Sequence, residues 1–440
     1  MQPAHPTEQA VGMDYYVSDT SGIGGRLKHD VEAFRVRELE AVDAEPLGAD
    51  PGAYSHLVVR ATLAGWDTNE FATRLSNAIG ISRERVRWAG TKDAAARTTQ
   101  LLSIKGITAA DLPEMSDADL EPVGRLGRGL TYGDLAGNEF SITVADSTHP
   151  ERIDAITDEL AALGGAPDRI GVPNYFGQQR FGSRRPITHE VGLAIVRDDW
   201  QGAVETYVGD AYEDEPAATR RAREHFADTG DPASTLDQFP SHLRHERALL
   251  HALTEVDGTP EPSDYRAALE RLPSSLQQLF VHAAQSYIFN RIVSERLERG
   301  LPLTDPVVGD VVCSPDLTIV PRPARPDRQQ VVDERNLEAV RRHCERERAF
   351  VTAPLLGPRP PSARASRDHR AIGPRDAGTD AAAFEGPGEF GSRGTRRSIL
   401  LRTAIEFERD PVRATFALPP GSYATVVLRE YCKVDPAEMA

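Results

Sequence analysis

Two kinds of hydrophobic pattern alternate along the first part of the chain, and this alternation limits the folds open to it. The two-residue alternation typical of strands occurs in four stretches: the end of residues 26–40, and residues 56–63, 100–105 and 137–144. The helical spacing occurs in two stretches: residues 68–79 and 150–164. Strands interleaved with helices in this way predict an α+β domain.

The rest of the chain predicts a helical region, a linker and an ordered tail. With 440 residues the chain is too long for one core and suggests two or three domains. Residues 185–350 are predicted mostly helical, with the clearest helix at 277–300. Residues 354–397, dense in Pro, Gly, Arg and Asp, predict a long loop or partly disordered linker. The tail is predicted to form two strands and a helix: residues 403–408, 412–418 and 421–432.

The charge pattern is acidic and nearly free of lysine. The net charge is −16, and only four of the 51 basic residues are lysine. Such a surface is favoured in a salt-loaded cytoplasm, where repulsion between carboxylates is screened. The net charge therefore does not exclude a local basic cleft for a polyanion. Where lysine is this scarce, Lys28 and Lys92 become candidates for chemistry, whereas chance retention explains Lys105 and Lys433 equally well.

Several classes of protein are disfavoured by what the sequence lacks. It has no apolar run near the roughly 20 residues of a membrane helix, and its N-terminus does not resemble a secretory signal. Three scattered cysteines fit neither disulfides nor a zinc site, so a cytoplasmic location is expected. Phosphate loops, dinucleotide fingerprints, HExxH and GxSxG motifs are absent. An enzyme of this sequence is expected to use one carboxylate without metal or cofactor.

Residues 87–100, RWAGTKDAAARTTQ, form the segment richest in candidate chemistry. Asp93 stands between the ammonium of Lys92 and a run of small residues, which leaves room for a flat substrate beside an ionised acid. The spacing alone favours a second, structural interpretation. Asp93 caps a helix whose first turn is residues 94–96.

Three other stretches have both a binding and a structural interpretation. Residues 172–182, VPNYFGQQRFG, combine aromatic rings for base stacking, amides for base edges and Arg180 for phosphates, or they form a glycine turn pinned into a core. Residues 285–296 fit a core helix with a polar face. Residues 418–431 bring Ser422 and Tyr423 to a helix start, which suits anions or rings.

Taken together, these stretches resemble the TruD family of tRNA pseudouridine synthases. The resemblance rests on eight blocks in family order: LK (27–28), FxVxE (34–38), AGTKDAAARTTQ (89–100), NYFGQQRFG (174–182), QSYIFN (285–290), TAPLLG (352–357), SRGTRR (392–397) and LPPGSYATVVLRE (418–430). Residues 358–383 carry no clear family block. The blocks span nearly the whole chain.

The resemblance implies a fold and a reaction. It implies a pseudouridine-synthase core, a mixed and largely antiparallel sheet with flanking helices, interrupted by an inserted α/β TRUD domain. The core is expected over residues 1–184 and 396–440, and the insert over 185–395, with an RNA cleft between them. The implied reaction converts uridine to pseudouridine in tRNA, typically uridine 13 of the D arm, without metal or cofactor. A monomer is favoured.

The resemblance also implies roles for individual residues. Asp93 matches the catalytic aspartate, and Lys28 matches the basic residue that keeps it ionised, whereas Lys92 would point away from it. Phe176 matches an aromatic near the uracil. The other pocket positions are Phe34, Asn174 and Tyr423, the last in place of an expected phenylalanine. The role of Asp93 as nucleophile at C1′, base at C2′ or stabiliser of positive charge stays open.

Two rival functions remain from the sequence. The chain could keep this fold as a tRNA-binding or chaperone protein without turnover. Alternatively, it could be a carboxylate-dependent glycosidase or base-exchange enzyme, which would release free uracil.

Overall fold

Strands and helices occupy both ends and the middle of the chain. The computed structural model describes residues 1–92, 94–166, 168–182, 185–316, 324–358 and 380–439. Its strands are β1 (Gln2–Pro3), β2 (Tyr15–Tyr16), β3 (Phe34–Glu40), β4 (His56–Ala64), β5 (Val86–Trp88), β6 (Arg97–Lys105), β7 (Ala118–Leu126), β8 (Leu135–Thr143), β9 (Ile170–Pro173), β10 (Val311–Pro315), β11 (Ala324–Val331), β12 (Phe350–Leu355), β13 (Thr395–Ser398), β14 (Leu400–Thr403), β15 (Ile405–Arg409) and β16 (Val412–Leu418). Its helices are α1 (Pro6–Gln9), α2 (Thr68–Ile79), α3 (Ile153–Gly164), α4 (Thr188–Val196), α5 (Trp200–Gly209), α6 (Ala217–Thr229), α7 (Pro232–Leu236), α8 (Arg244–Thr254), α9 (Pro262–Leu269), α10 (Ser274–Glu298), α11 (Leu337–Glu345) and α12 (Ala424–Cys432).

The main sheet joins strands from both ends of the chain. Its order is β15-β16-β8-β3-β6-β4-β7, with β5 paired to β6 off this path. The pair β3 and β6 is parallel, and the other pairs are antiparallel. The predicted α+β class and largely antiparallel mixed sheet are therefore confirmed. Since β16 pairs with β8, the C-terminal tail completes a sheet that the N-terminal part begins.

Helices cover one face of the main sheet. Side chains alternate between faces along each strand, and Phe34, Val36, Phe140 and Phe416 all point to the covered face. There they pack with apolar residues of α3 and α12. The same face of β4 and β6 packs against α2. Burial of these rings and aliphatic chains holds the sheet to its helices.

A second region combines helices with a four-stranded sheet. This sheet has the order β11-β10-β12-β13, and α10 packs against β12. Helix α10 also packs against α4, and helices α4 to α9 pack against one another. Strand β9 pairs with β14 in a separate two-stranded sheet. The predicted insert boundaries at residues 185 and 395 stay a prediction.

The first 20 residues form an N-terminal arm that the sequence did not predict. Glu8 of α1 makes a two-pronged ion pair with Arg429 of α12, at 2.7 and 3.0 Å. Glu430 accepts a third hydrogen bond from Arg429, and all three side chains are at most 1 % exposed. Burial by itself lowers the pKa of Arg429, but the two carboxylates outweigh it and raise the pKa above its usual value. The arm is thereby fastened to α12.

Most predicted elements are confirmed with shifts of a few residues at their ends. The predicted strand at residues 412–418 is matched by β16, and the helix predicted at 277–300 is matched by α10. The linker prediction is wrong at its end, because residues 395–398 form β13, and residues 359–379 lie outside the described ranges. The short β9 was missed because all four of its residues are buried and do not alternate. No helix in the described ranges is long and apolar enough to cross a membrane.

Candidate active site

One row of the main sheet places three groups from distant parts of the sequence side by side. Glu38 of β3 is paired with Asn138 of β8, and Asn138 is paired with Leu418 of β16. Directly opposed residues point to the same face, and neighbouring strands lie about 5 Å apart. The row is therefore about 10 Å wide. The segments that follow Glu38 and Leu418 meet the turn that precedes β8 at this end of the sheet.

A buried ion pair fixes the loop that precedes β6. Lys92 Nζ bonds to Glu38 Oε1, and both side chains are almost fully buried. The backbone N–H of Lys92 donates to Thr68 Oγ1 at 2.9 Å. Burial raises the pKa of Glu38, and Lys92 partly offsets this rise. A side chain at Gly90 would meet the ammonium and carboxylate of this pair at about 3 Å, so the loop needs glycine there.

The candidate catalytic residue Asp93 lies outside the described residues, but its neighbours are described. Residues 94 and 95 are exposed and form a turn, and β6 starts at Arg97. Because residues 94–96 form a turn and bend that lead directly into this strand, the helical turn predicted for residues 94–96 is wrong. Ala96 packs in the same core as Leu27 and Phe34. The loop thus ends beside the start of β3, its parallel neighbour.

Lys28 and Phe34 lie together at the start of β3. The Lys28 ammonium stands 5.2 Å from the centre of the Phe34 ring, a cation–π distance. The backbone of Lys28 is left-handed, with φ of 51°, which a residue other than glycine adopts only at a cost in free energy. Such strain is common at functional sites. Phe34 is buried and also makes an edge contact with Phe140.

Asn174 and Phe176 follow β9 and are held from two sides. The backbone N–H of Phe176 donates to Asn290 Oδ1 at 2.8 Å, and Asn290 Nδ2 donates back to the Phe176 carbonyl at 3.0 Å. The Phe176 ring meets the edges of Phe289 and Tyr423 and is only 8 % exposed. Asn174 Nδ2 donates to the Ser398 carbonyl at 2.9 Å. The backbone of Phe176 and the side-chain amide of Asn174 are therefore fixed by hydrogen bonds.

Arg397 joins these segments into one wall. Its Nη2 donates to Asn174 Oδ1 at 2.6 Å and its Nε to the Asn174 carbonyl at 3.1 Å, while Nη1 donates to the Gly421 carbonyl at 2.8 Å. Its guanidinium lies 4.2 Å from the centre of the Phe176 ring. Burial lowers the pKa of Arg397 to about 10, so it stays cationic at neutral pH. An arginine only donates, so it fixes which end of the Asn174 amide is oxygen.

Tyr423 and Arg180 lie around this wall. Tyr423 precedes α12 in extended conformation, and its hydroxyl has no hydrogen-bond partner among the described residues. Arg180 donates to Ser286 Oγ at 3.4 Å and is close enough to Arg397 to lower the pKa of Arg397. Tyr132, in the turn Tyr132–Asp134 before β8, is 65 % exposed and lies close enough to Arg397 and Tyr423 for both to affect its pKa. Burial of its hydroxyl raises the pKa of Tyr132, Arg397 lowers it in part, and Tyr423 raises it further.

The predicted site residues form two groups in the structure. Lys28 and Phe34 form one group beside the loop that contains Lys92, and Asn174, Phe176 and Tyr423 form the other around Arg397. Leu27 and Phe34 share a core with Leu418 and Ala424, which flank the Tyr423 turn. Arg180 is at the margin of the second group. The described residues contain no cluster of metal-ligating side chains.

Three residues of this region had no role in the sequence-based prediction. Arg397 and Glu38 lie in recognised family blocks, but nothing in their spacing signals a partner. Tyr132 follows a glycine-rich stretch without a family block and could be found only by its exposure in the fold. These roles depend on contacts between distant segments.

Comparisons with known proteins agree over the whole length of the chain. The family model described as tRNA pseudouridine synthase D (TruD) matches residues 10–431. A protein of Halobacterium salinarum named "Probable tRNA pseudouridine synthase D" is 56 % identical over 439 residues, 99 % of each chain. One of the same name from Natronomonas pharaonis is 53 % identical over the full length of both. A crystal structure of a Methanosarcina mazei protein, described as "Putative tRNA pseudouridine synthase D (TruD)", is 35 % identical with a TM-score of 0.81, and the match covers both chains completely. The chain therefore belongs to the TruD family of tRNA pseudouridine synthases.

Proposed function

We propose that this protein isomerises uridine to pseudouridine in tRNA, at uridine 13 of the D arm, with Asp93 as its single catalytic carboxylate. Membership of the TruD family makes it an isomerase of the tRNA pseudouridine synthase class. The observation that carries the assignment of the site is the register row of Glu38, Asn138 and Leu418. Lys92 bonds to Glu38 of this row, so the loop leading to residue 93 packs against the row that ends at Leu418, shortly before the Tyr423 turn.

The reaction needs no atom from outside the nucleotide. The C1′–N1 bond of uridine breaks, the uracil turns while it is held, and a C5–C1′ bond forms. The hydrogen on C5 is lost and N1 gains one, so the formula is unchanged. Asp93 serves this sequence by attacking C1′, by removing the C2′ proton, or by stabilising positive charge on the sugar. Lys28 supports it as a nearby positive charge.

The uridine has to leave the base stack to reach such a site. Flipping costs a few kcal/mol, which the pocket recovers by stacking and by contacts with the base edge. Phe176, Phe34 and Tyr423 supply aromatic surface, and Asn174 supplies a fixed amide. Arg180 and Arg397 supply positive charge beside these rings, where a phosphate of the RNA would be favourable. The extra hydroxyl of Tyr423, relative to phenylalanine, is free to bond to RNA.

Pseudouridine mapping tests the function directly. Transcribed tRNA is incubated with the protein at high salt, and pseudouridine is located by chemical mapping. One modified uridine in the D arm, without release of free uracil, is expected. Binding without any pseudouridine would favour the non-catalytic tRNA-binding alternative, and free uracil would favour a glycosidase. A cytoplasmic location and a monomeric state stay predictions, as does the cleft between core and insert.

Arg397→Lys is expected to lower kcat/KM by about tenfold to a hundredfold, because Asn174, Phe176 and the turn at Gly421 lose the side chain that positions them. Lysine keeps the charge but cannot make the three forked hydrogen bonds or stack on Phe176, a loss of about 1.5–3 kcal/mol of local stability. Steady-state kinetics on transcribed tRNA measures the effect. Arg266→Lys is the matched control, because Arg266 of α9 also lies over a ring, Trp200, and pairs with Glu270 at the end of that helix. Equal activity of both variants would contradict the role of Arg397.

Salt is expected to stabilise the protein strongly. With a net charge of −16, the acidic side chains repel one another at low ionic strength. Salt screens this repulsion, because the Debye length falls from about 10 Å at 0.1 M to about 3 Å at 1 M. Urea unfolding at increasing KCl should show a rising free energy of unfolding. Separate assays should show activity only near molar salt, and tRNA binding that is still measurable there. Sucrose at equal osmolarity is the control and should not replace KCl. Full activity in dilute buffer would refute this expectation.

A further inference from the structure

A buried polar atom of Asn138 has no partner in the described chain. Asn138 Oδ1 is shut off from solvent and accepts no hydrogen bond. Most buried acceptors in proteins are satisfied, and an unpaired one calls for an explanation such as a missing water or ligand. Asn138 is a neutral side chain to which the proposed mechanism gives no task. It is therefore available for a role in binding.

The surroundings of Asn138 are those of the candidate active site. Its row neighbours are Glu38, which holds Lys92, and Leu418, which leads into the Tyr423 turn. Each neighbour is one strand away, about 5 Å. The turn that contains Tyr132 enters β8 only a few residues before Asn138. Asn138 thus lies between the two groups of predicted site residues.

Two further unpaired groups lie on the other side of Glu38. Gln100 Nε2 and Thr98 Oγ1 of β6 are buried and have no hydrogen-bond partner in the structure. Because β3 and β6 are paired with Val36 opposite Thr98, both side chains point to the same face as Glu38. Unpaired polar atoms therefore cluster on one face around the Lys92–Glu38 pair.

We propose that Asn138 contacts the substrate, its carboxamide oxygen accepting a hydrogen bond from a donor of the target nucleotide. The inference rests on the proposed function and deepens it. A uridine offers two suitable donors, the ribose 2′-hydroxyl and the uracil N3–H. The Asn138 oxygen can accept a hydrogen bond from either donor. The test below shows which of the two donors binds it.

The test is a double-mutant cycle that changes the Asn138 side chain of the protein and the hydrogen-bond donor of the RNA. The RNAs are a tRNA transcript and two versions with 2′-deoxyuridine or N3-methyluridine at the mapped target. The proteins are Asp93→Asn, which keeps the uridine unmodified during binding, and the same protein with Asn138→Ala. Dissociation constants are measured for all six pairs. Asn77→Ala, an exposed asparagine on α2, is the matched control and should change none of them.

Asn138→Ala is expected to weaken binding of the uridine RNA by about threefold to tenfold, the range of one hydrogen bond. It should cause no further loss with the analogue that lacks the donor in question, which identifies that donor. Equal losses on all three RNAs, or no loss on any, would overturn the proposal. Asn138→Leu, which fills the space without an acceptor, replaces alanine if the alanine variant melts early. Absence of pseudouridine with the unsubstituted protein would instead refute the proposed function.

Discussion

Asp93→Asn is expected to abolish pseudouridine formation, with a fall in rate of at least about a thousandfold. An asparagine keeps the size of the side chain but can neither attack C1′ nor accept the C2′ proton, and it carries no charge. Losses of about 10² to 10⁴ are typical when a positioned acid or base is removed. Single-turnover assays with transcribed tRNA and excess protein measure the rate. The tRNA dissociation constant should change less than threefold, since the RNA contacts remain.

A matched substitution separates catalysis from charge. Asp228→Asn removes one carboxylate from the exposed side of α6 and should leave the rate unchanged. Pseudouridine formation by Asp93→Asn at a rate near that of the unsubstituted protein would contradict the single-carboxylate mechanism. Loss of RNA binding together with activity would point to a folding defect of the loop, which the buried Lys92–Glu38 pair otherwise secures.

Arg429→Met is expected to destabilise the protein by about 3–5 kcal/mol. Methionine fills much of the space but leaves Glu8 and Glu430 buried without their cation, and removing one partner of a buried ion pair has this typical cost. The contact of the guanidinium with the Tyr16 ring, at 4.4 Å, is lost as well. Urea unfolding at constant molar KCl measures the difference in free energy.

Two further variants test the cause of this loss. Arg299→Met removes an arginine whose side chain is 49 % exposed and paired with Glu295, and should cost less than about 1 kcal/mol. The triple variant with Glu8→Gln, Glu430→Gln and Arg429→Met removes all the buried charges and should recover part of the stability. A loss below 1 kcal/mol for Arg429→Met would mean that water reaches the pair.

Local periodicity was sufficient to predict elements whose pattern lies within one segment. Strand β16 shows a clean alternation of buried and exposed side chains, and α10 has its apolar residues at helical spacing. Strand β13 could not be predicted in this way. It is four residues long, follows a Pro- and Gly-rich stretch and exists because β12 offers it a paired edge.

Scarcity of lysine pointed to residues with fixed partners, though not to the role predicted for Lys92. Lys92 does not stand free for chemistry but is buried against Glu38. Lys433, for which chance retention was an equal alternative, donates to the carbonyls of Ser18 and Thr20 and helps to fasten the N-terminal arm. Each partner lies far away in sequence. Such pairs cannot be found from spacing within one segment.

The resemblance supplied the site residues, and the fold adds the contacts between them. The sequence places Asn174 and Arg397 more than 200 residues apart, and only the folded chain joins them by two hydrogen bonds. Asn138 is an ordinary strand residue by pattern. Its unpaired oxygen becomes visible only when β3, β8 and β16 are assembled.

The pairing of β16 with β8 sets the order in which a newly made chain can become active. β8 ends at Thr143, whereas its partner begins at Val412. While the ribosome makes the residues between them, β8 presents an open edge that can pair with other chains. At that stage the loop with Lys92 has been made, but the segment with Arg397 and Tyr423 has not. A nascent chain therefore completes the proposed uridine pocket only with its last strand and helix, and a chain released early combines an exposed edge with an incomplete pocket.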